Sequence, residues 1–243
     1  MIWVRSLLYQ ILFLPWTTLL VVGFSPMLIA APRRSVQWVA WLWLEGTLWL
    51  QKTVLGLSFE VRGIENLPKS GAIVAAKHQS AWETLVFHRL VGDPAFVLKK
   101  ELLRIPFIGW YMRGTGQIAI DRTAGGSALK QMVDGGRRAM EEGRCLIIFP
   151  EGHRQPPGQA GRYHIGIFKL YAALGVPVAP IALNSGLFWP RNAFLRRPGR
   201  ITLQVLPPIP PGLDRESFMT RLQDQIETTT RALEDEARRE AGG

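Results

Sequence analysis

Between Arg5 and Arg33 the chain carries no charged residue, and Leu7, Leu8, Ile11, Leu12, Phe13, Leu14, Leu19, Leu20, Val21 and Val22 make most of that run strongly apolar. It exceeds the roughly 20 residues that a helix needs to cross a bilayer. A stretch this long and uninterrupted has few places in a soluble core, so the first prediction is a membrane segment. Pro15, Gly23 and Pro26 are positions where it could break or dip into one leaflet. A cleaved leader is a poorer reading, because proline follows the small residues of Ala30-Ala31-Pro32.

The next segment, 36–57, holds Trp38, Trp41, Trp43 and Trp49 with only Glu45 and Lys52 charged. Tryptophan at this density predicts a helix at headgroup level. Arg33-Arg34 would be costly at a hairpin tip buried in hydrocarbon, so either the tip reaches an interface or the second helix lies along the surface. Residues 1–57 are therefore expected to form a two-helix membrane motif, followed by a body over 58–243.

Charge points to the partner. Twenty-nine Lys and Arg against nineteen Asp and Glu give a net charge of +10. The excess is spread over the whole chain rather than held in a detachable tail, so it favours anionic partners such as acidic lipid headgroups or phosphorylated metabolites. No reading helix or aromatic RNA motif accompanies it, which disfavours nucleic acid. The single cysteine, Cys145, excludes an internal disulfide framework and fits a reducing compartment. It sits in the apolar run Cys-Leu-Ile-Ile-Phe, so it is read as a small buried residue rather than a nucleophile.

After residue 57 the pattern changes to short β-like runs at 59–62, 72–76, 95–98, 117–120, 145–149, 178–183 and 201–205, with helical spacing over 127–142 and 165–174. The predicted fold class is α/β: a mostly parallel central sheet with helices on both faces, preceded by the two N-terminal helices. Phe218, Leu222, Ile226 and Leu233 form one stripe in a highly charged stretch over 214–240, predicting a docked surface helix.

Several chemistries are not signalled. There is no G-x-S-x-G elbow, no phosphate loop ending in Gly-Lys-Ser/Thr, and no C-x-x-C or H-E-x-x-H pair. The four histidines show no metal-ligand spacing. The most informative run is Ala75-Ala76-Lys77-His78-Gln79-Ser80-Ala81-Trp82-Glu83, where a buried strand ends in a histidine before a helix begins. Along one helix, residues five apart diverge by about 140°, so His78 and Glu83 can pair only if the histidine precedes the helix and the glutamate lies in its first turn. A carboxylate on one imidazole nitrogen makes the other a base for a hydroxyl. Ser80-x-x-Glu83 is equally a helix capping box, which needs no catalysis.

A second strand ends in Phe149-Pro150-Glu151-Gly152-His153-Arg154, whose glycine turn and arginine suit a phosphate. Lys99-Lys100 and Asp121-Arg122 end two further runs with positive charge on the same sheet edge.

Together, in this order, these blocks resemble the membrane-associated glycerolipid acyltransferases, most closely the bacterial 1-acylglycerol-3-phosphate acyltransferases. His78 to Glu83 resembles the family's H-x4-D motif, Lys100 to Gly109 with Arg122 its second block, Phe149 to Arg154 its F-P-E-G-T-R block, and Val176 to Ile181 its fourth. The resemblance implies transfer of an acyl chain from coenzyme A or acyl carrier protein, as co-substrate, to the free hydroxyl of lysophosphatidic acid. It implies His78 as general base and Glu83 as its orienting carboxylate. Lys100, Arg122 and Arg154 would hold the acceptor phosphate, with Glu151 and Gly152 shaping that pocket, and no metal or other cofactor. The expected place is the cytoplasmic membrane of a bacterium, with the body on the cytoplasmic side among membrane lipids. Two departures stand out: Glu83 replaces the usual aspartate, and His153 replaces threonine. Other acceptors, such as a lyso-ornithine lipid, and a non-catalytic lipid-binding role remain as alternatives. An acyl channel is also expected, with Trp110, Phe168 and Phe188 as candidate lining residues that would serve equally as core.

Overall fold

The computed structural model describes residues 1–27, 31–121 and 124–242. Helix α1 (Ile2–Gly23) runs unbroken through Pro15. It is long and apolar enough to cross a membrane, and exposes Leu7, Leu8, Ile11, Leu14, Leu19 and Val22. Helix α2 (Arg33–Leu50) packs beside it and exposes Trp38, Trp41 and Trp49. The fourth tryptophan turns inward: Trp43 Nε1 donates to Thr17 Oγ1 at 3.0 Å, and Trp16 Nε1 donates to the Trp43 carbonyl at 3.3 Å. Gly46 permits this approach, since a Cβ there would overlap the Trp16 indole.

One side of α1 is tied to the body. Tyr9 and Ser6 are fully buried. The Arg196 guanidinium lies over the rings of both Tyr9 and Trp189, at 4.9 and 4.2 Å from their centroids. A π-helical turn (Gln51–Leu55) prolongs α2, and Gly56, at φ 68°, ends it with the left-handed conformation that glycine adopts without steric cost.

The body is a seven-stranded sheet of β1 (Leu57–Arg62), β2 (Ile73–Ala76), β3 (Ala95–Lys99), β4 (Ile118–Ile120), β5 (Leu146–Ile148), β6 (Val178–Leu183) and β7 (Gly199–Val205). Their order is β1-β7-β6-β2-β5-β3-β4. Every neighbouring pair is parallel except β6 with β7. All seven strands fall where the apolar runs predict them. β1 and β7 start two residues earlier than expected, because Leu57 pairs with Gly199 at the sheet edge.

Helices cover both faces. Ile73 and Ala75 of β2 meet α5 (Gly126–Glu141), α6 (Gly166–Leu174) and the C-terminal α8 (Arg215–Gly242), whereas Val74 and Ala76 face α1 and α3 (Trp82–Val91). The stripe Phe218, Leu222, Ile226 and Leu233 is buried as its spacing predicts. A 3-10 turn (Lys100–Arg104) and α4 (Ile108–Gly114) follow β3, and the single-turn α7 (Ser185–Phe188) follows β6. The chain leaves β2 through α3 towards β3 but leaves β5 through α6 towards β6, on opposite faces. The carboxyl ends of β2 and β5 thus flank a topological switch point, where open α/β sheets place their ligands.

Candidate functional site

His78 emerges two residues past the end of β2, before α3 begins, so its ring and the first turn of the helix can meet. His78 Nδ1 lies 2.9 Å from Glu83 Oε1. The same oxygen accepts the N–H groups of Gln79 and Ser80, each at 2.7 Å, and Oε2 accepts the Ser185 hydroxyl at 2.9 Å. Glu83 is fully buried, and these four donors replace its lost hydration. Glu83 takes the Ser80 N–H as a capping-box glutamate does, and with the same oxygen meets the imidazole, but the box is only half formed: Ser80 Oγ accepts the N–H of Trp82 rather than that of Glu83. A carboxylate acceptor places the imidazole proton on Nδ1 and leaves Nε2 as the basic nitrogen.

The turn after β5 closes over this pair. Phe149 stacks on His78 with centroids 4.0 Å apart and planes 17° from parallel. Gln155 N–H donates to the His78 carbonyl at 2.8 Å. Gly152, at φ 70°, makes the reversal between them.

His78 lines a cavity of about 840 Å³ whose walls include Leu20, Val21, Trp43, Leu44, Leu129 and Met132. This is within the range of sites that bury most of a small ligand. Trp110, Phe168 and Phe188 do not line it: Phe168 packs in the core beside α8, Phe188 on the opposite core cluster, and Trp110 is exposed. The wall residues come instead from both N-terminal helices, β3, α5 and the ends of β5 and α6. Lys99, His164, Lys169 and Gly152 also line the cavity. His88 is in the wall as well, and burial pushes its imidazole pKa down.

The predicted phosphate-binding residues are dispersed. Lys100 lies off the cavity, ion-paired to Asp121, while its neighbour Lys99 lies on it. Lys99 is the last residue of β3 and Lys100 the first of the 3-10 turn, so the change of backbone direction between them parts the two side chains. Arg154 is half-buried outside the cavity lining, and its carbonyl accepts from Arg191 at 3.2 Å. Arg122 lies outside the described residues. His153 is exposed, its Nε2 accepting from Gln155 Nε2 at 3.0 Å.

Glu151 points away from the cavity. It is fully buried, accepting from Lys77 Nζ at 2.6 Å, His78 N–H at 3.0 Å and Gly161 N–H at 3.2 Å. Burial pushes its carboxyl up against the opposing pull of Lys77. Cys145 is buried, as its apolar run predicts, and burial raises its thiol pKa. Among the described residues, no group of three or more His, Cys, Asp or Glu side chains converges to hold a metal ion.

Ser185 was not singled out from sequence, and Lys99 was read as positive charge at a strand's carboxyl end but not as a phosphate-binding residue. Ser185 carried no readable signal, because its partner is 102 residues away.

The family model for acyltransferases matches residues 58–184, which contain the His78–Glu83 pair and the Phe149–Arg154 turn. A 1-acyl-sn-glycerol-3-phosphate acyltransferase of Pseudomonas aeruginosa is 39% identical over 175 residues, 72% of this chain and 68% of that protein. One from Borreliella burgdorferi is 30% identical over 187 residues, 74% and 73% of the two chains. The crystal structure of a 1-acyl-sn-glycerophosphate (LPA) acyltransferase from Thermotoga maritima shares the fold, with a TM-score of 0.75 over 96% of this chain and 99% of that one at 23% identity. The motif spacing, the histidine–carboxylate pair at the switch point and these similarities agree: the chain belongs to the acyltransferase family.

Proposed function

We propose that this protein is a 1-acyl-sn-glycerol-3-phosphate acyltransferase, moving an acyl chain from a coenzyme A or acyl carrier protein thioester to the free hydroxyl of lysophosphatidic acid. The observation that carries the reading is the His78–Glu83 pair at the wall of an apolar cavity. Relatives bearing that name support the choice of acceptor.

In this mechanism Nε2 of His78 takes the proton of the lysolipid hydroxyl as its oxygen attacks the thioester carbonyl. Glu83 stabilises the imidazolium that forms. The tetrahedral intermediate collapses with cleavage of the C–S bond, and the leaving thiolate receives the proton from Nε2. The products are the diacylated phospholipid and a free thiol, and His78 is regenerated without a covalent enzyme intermediate. The acyl chain occupies the cavity between the sheet and the N-terminal helices. Lys99 and Lys169 supply positive charge for the acceptor phosphate, with His164 on the same cavity wall. The exposed apolar faces of α1 and α2 seat the protein on the membrane from which the lysolipid enters, with the catalytic body on the cytoplasmic side.

Purified protein in detergent is given oleoyl-CoA and lysophosphatidic acid, and thiol release is followed. Acceptor-dependent release that falls by about 10²–10⁴-fold in His78→Ala is the expected result. Absence of release with either a coenzyme A or a carrier-protein donor, but turnover with lyso-ornithine lipid, would replace the acceptor.

A further inference from the structure

The C-terminal helix has a second stripe that its surface role does not explain. Beside the apolar row, Glu227, Thr230 and Glu234 are also buried, at i, i+3 and i+7 of α8. Two of these carboxylates reach the segment that carries the catalytic base. Glu227 accepts from Lys77 Nζ at 2.8 and 3.0 Å, and Glu234 Oε1 accepts from Gln79 Nε2 at 2.7 Å.

Lys77 and Gln79 flank His78 on alternate positions, so α8 grips the residues on either side of the base while His78 faces the other way, into the cavity. The grip continues into the turn after β5. Lys77 Nζ also donates to Glu151 Oε1, and Glu151 Oε2 takes the backbone N–H of His78 itself. Tyr163 O–H donates to Glu227 at 3.0 Å, and the Gln159 carbonyl accepts from Lys77 at 3.0 Å. Three successive backbone N–H groups, 78 to 80, are therefore each fixed by a buried carboxylate, the first by Glu151 and the next two by Glu83.

Stability alone is a poor explanation for this arrangement. Taking a lysine and two carboxylates out of water carries a large desolvation cost, and well-packed apolar residues commonly hold a helix as firmly. What buried, directional bonds add is one defined angle for the segment they hold. We propose that Glu227 and Glu234 of α8, acting with Glu151 through Lys77, Gln79 and the His78 backbone, are positioning residues that set the imidazole of His78 against Glu83 and the attacked carbonyl. The C-terminal helix is thereby part of the catalytic apparatus.

The proposal rests on His78 being the base of the acyl transfer, and its test separates the two. Glu227→Gln, Glu234→Gln and Glu151→Gln are compared with the unmodified full-length chain in the thiol-release assay below their melting temperatures. Misplacing a base by a fraction of an ångström to an ångström is expected to lower kcat by about tenfold to a hundredfold, with KM for donor and acceptor unchanged. In a His78→Ala background the same substitutions should produce no further loss, because the residue they position is gone.

Full kcat in folded Glu227→Gln and Glu234→Gln, or the same fold-loss with and without His78, would overturn the proposal. If Glu151→Gln fails to fold, the two α8 variants decide, since their isosteric amides keep the helix contacts. If the unmodified chain releases no thiol with any acceptor, the functional reading falls. Positioning is then read from the imidazole nitrogen shifts of 15N-histidine-labelled protein: movement of the His78 signals in the α8 variants supports it, and unmoved signals overturn it.

Discussion

Two histidines line the same cavity and differ in what stands behind them. His78, in the turn after β2, has its Nδ1 against a carboxylate. His88, two turns into α3, has its Nδ1 3.2 Å from the neutral carbonyl of Thr84. Both leave Nε2 without a protein partner among the described residues, so geometry at that nitrogen does not separate them. A full negative charge stabilises the imidazolium that forms as a proton is taken, whereas a carbonyl dipole in an apolar wall does so weakly, and burial dominates at His88. In the proposed mechanism the carboxylate makes one ring a base, and its absence leaves the other as wall.

The largest expected effect tests the first half of that contrast. His78→Ala should lower kcat by about 10²–10⁴-fold, the usual worth of a positioned general base, while sedimentation with anionic vesicles stays as in the unmodified protein. Retained turnover would break the comparison at once.

Glu83→Gln should come next, with a loss of about a hundredfold in kcat. It gives His78 the kind of neutral partner that His88 has, and leaves the Gln79 and Ser80 N–H groups with a weaker acceptor. Rate measurements as a function of pH check this, because a loss confined to KM would mean that Glu83 serves only as a helix cap.

The cations are expected to act on binding rather than on proton transfer. Lys99→Ala should raise KM for lysophosphatidic acid about tenfold, a change worth about 1.4 kcal/mol, with kcat preserved. Lys100→Ala, at a residue paired to Asp121 outside the cavity, should change it less than about twofold by the scale of exposed ion pairs. Equal effects of the two substitutions would contradict the placement of Lys99 on the cavity and Lys100 off it.

The smallest effect falls on His88. Burial holds its folded pKa below the ordinary imidazole value of about 6.5, so the unfolded chain binds the proton first. Stability is then complete above that value and declines as pH falls below it towards the folded pKa, with a slope of at most about 1.4 kcal/mol per pH unit. His88→Phe should remove this decline in urea unfolding series at pH 5 to 7.5, and leave kcat within about twofold. A marked loss of kcat would give His88 a role in the chemistry.

Sequence legibility tracked locality. The seven strands were readable because apolar runs buried on both faces of a parallel sheet are continuous and short. His78 and Glu83 were readable because a strand end and a helix start confine them to one turn. The partners supplied by distant elements were not. Glu227 lies next to Ile226 in a charged helix, and nothing in its spacing separates it from the solvated carboxylates around it. Glu151 reads as a surface turn residue beside Gly152, yet packing turns it inward onto Lys77. Lys100 and Lys99 are one residue apart, and only the break from β3 into the 3-10 turn separates the one on the cavity from the one off it. Pro15 was readable as a possible break, but the helix runs through it.

The Lys77–Glu227 contact joins residues 150 positions apart, and its far end belongs to the last element of the chain. Synthesis proceeds from the N-terminus, so α1, with its exposed apolar side, emerges first and α8 last. Until α8 docks, the ammonium beside His78 lacks one of its two carboxylates and the segment lacks its clamp. On the proposed function, the apolar side of α1 is available to a lipid surface before the turn after β2 is set, and turnover waits for α8 to dock.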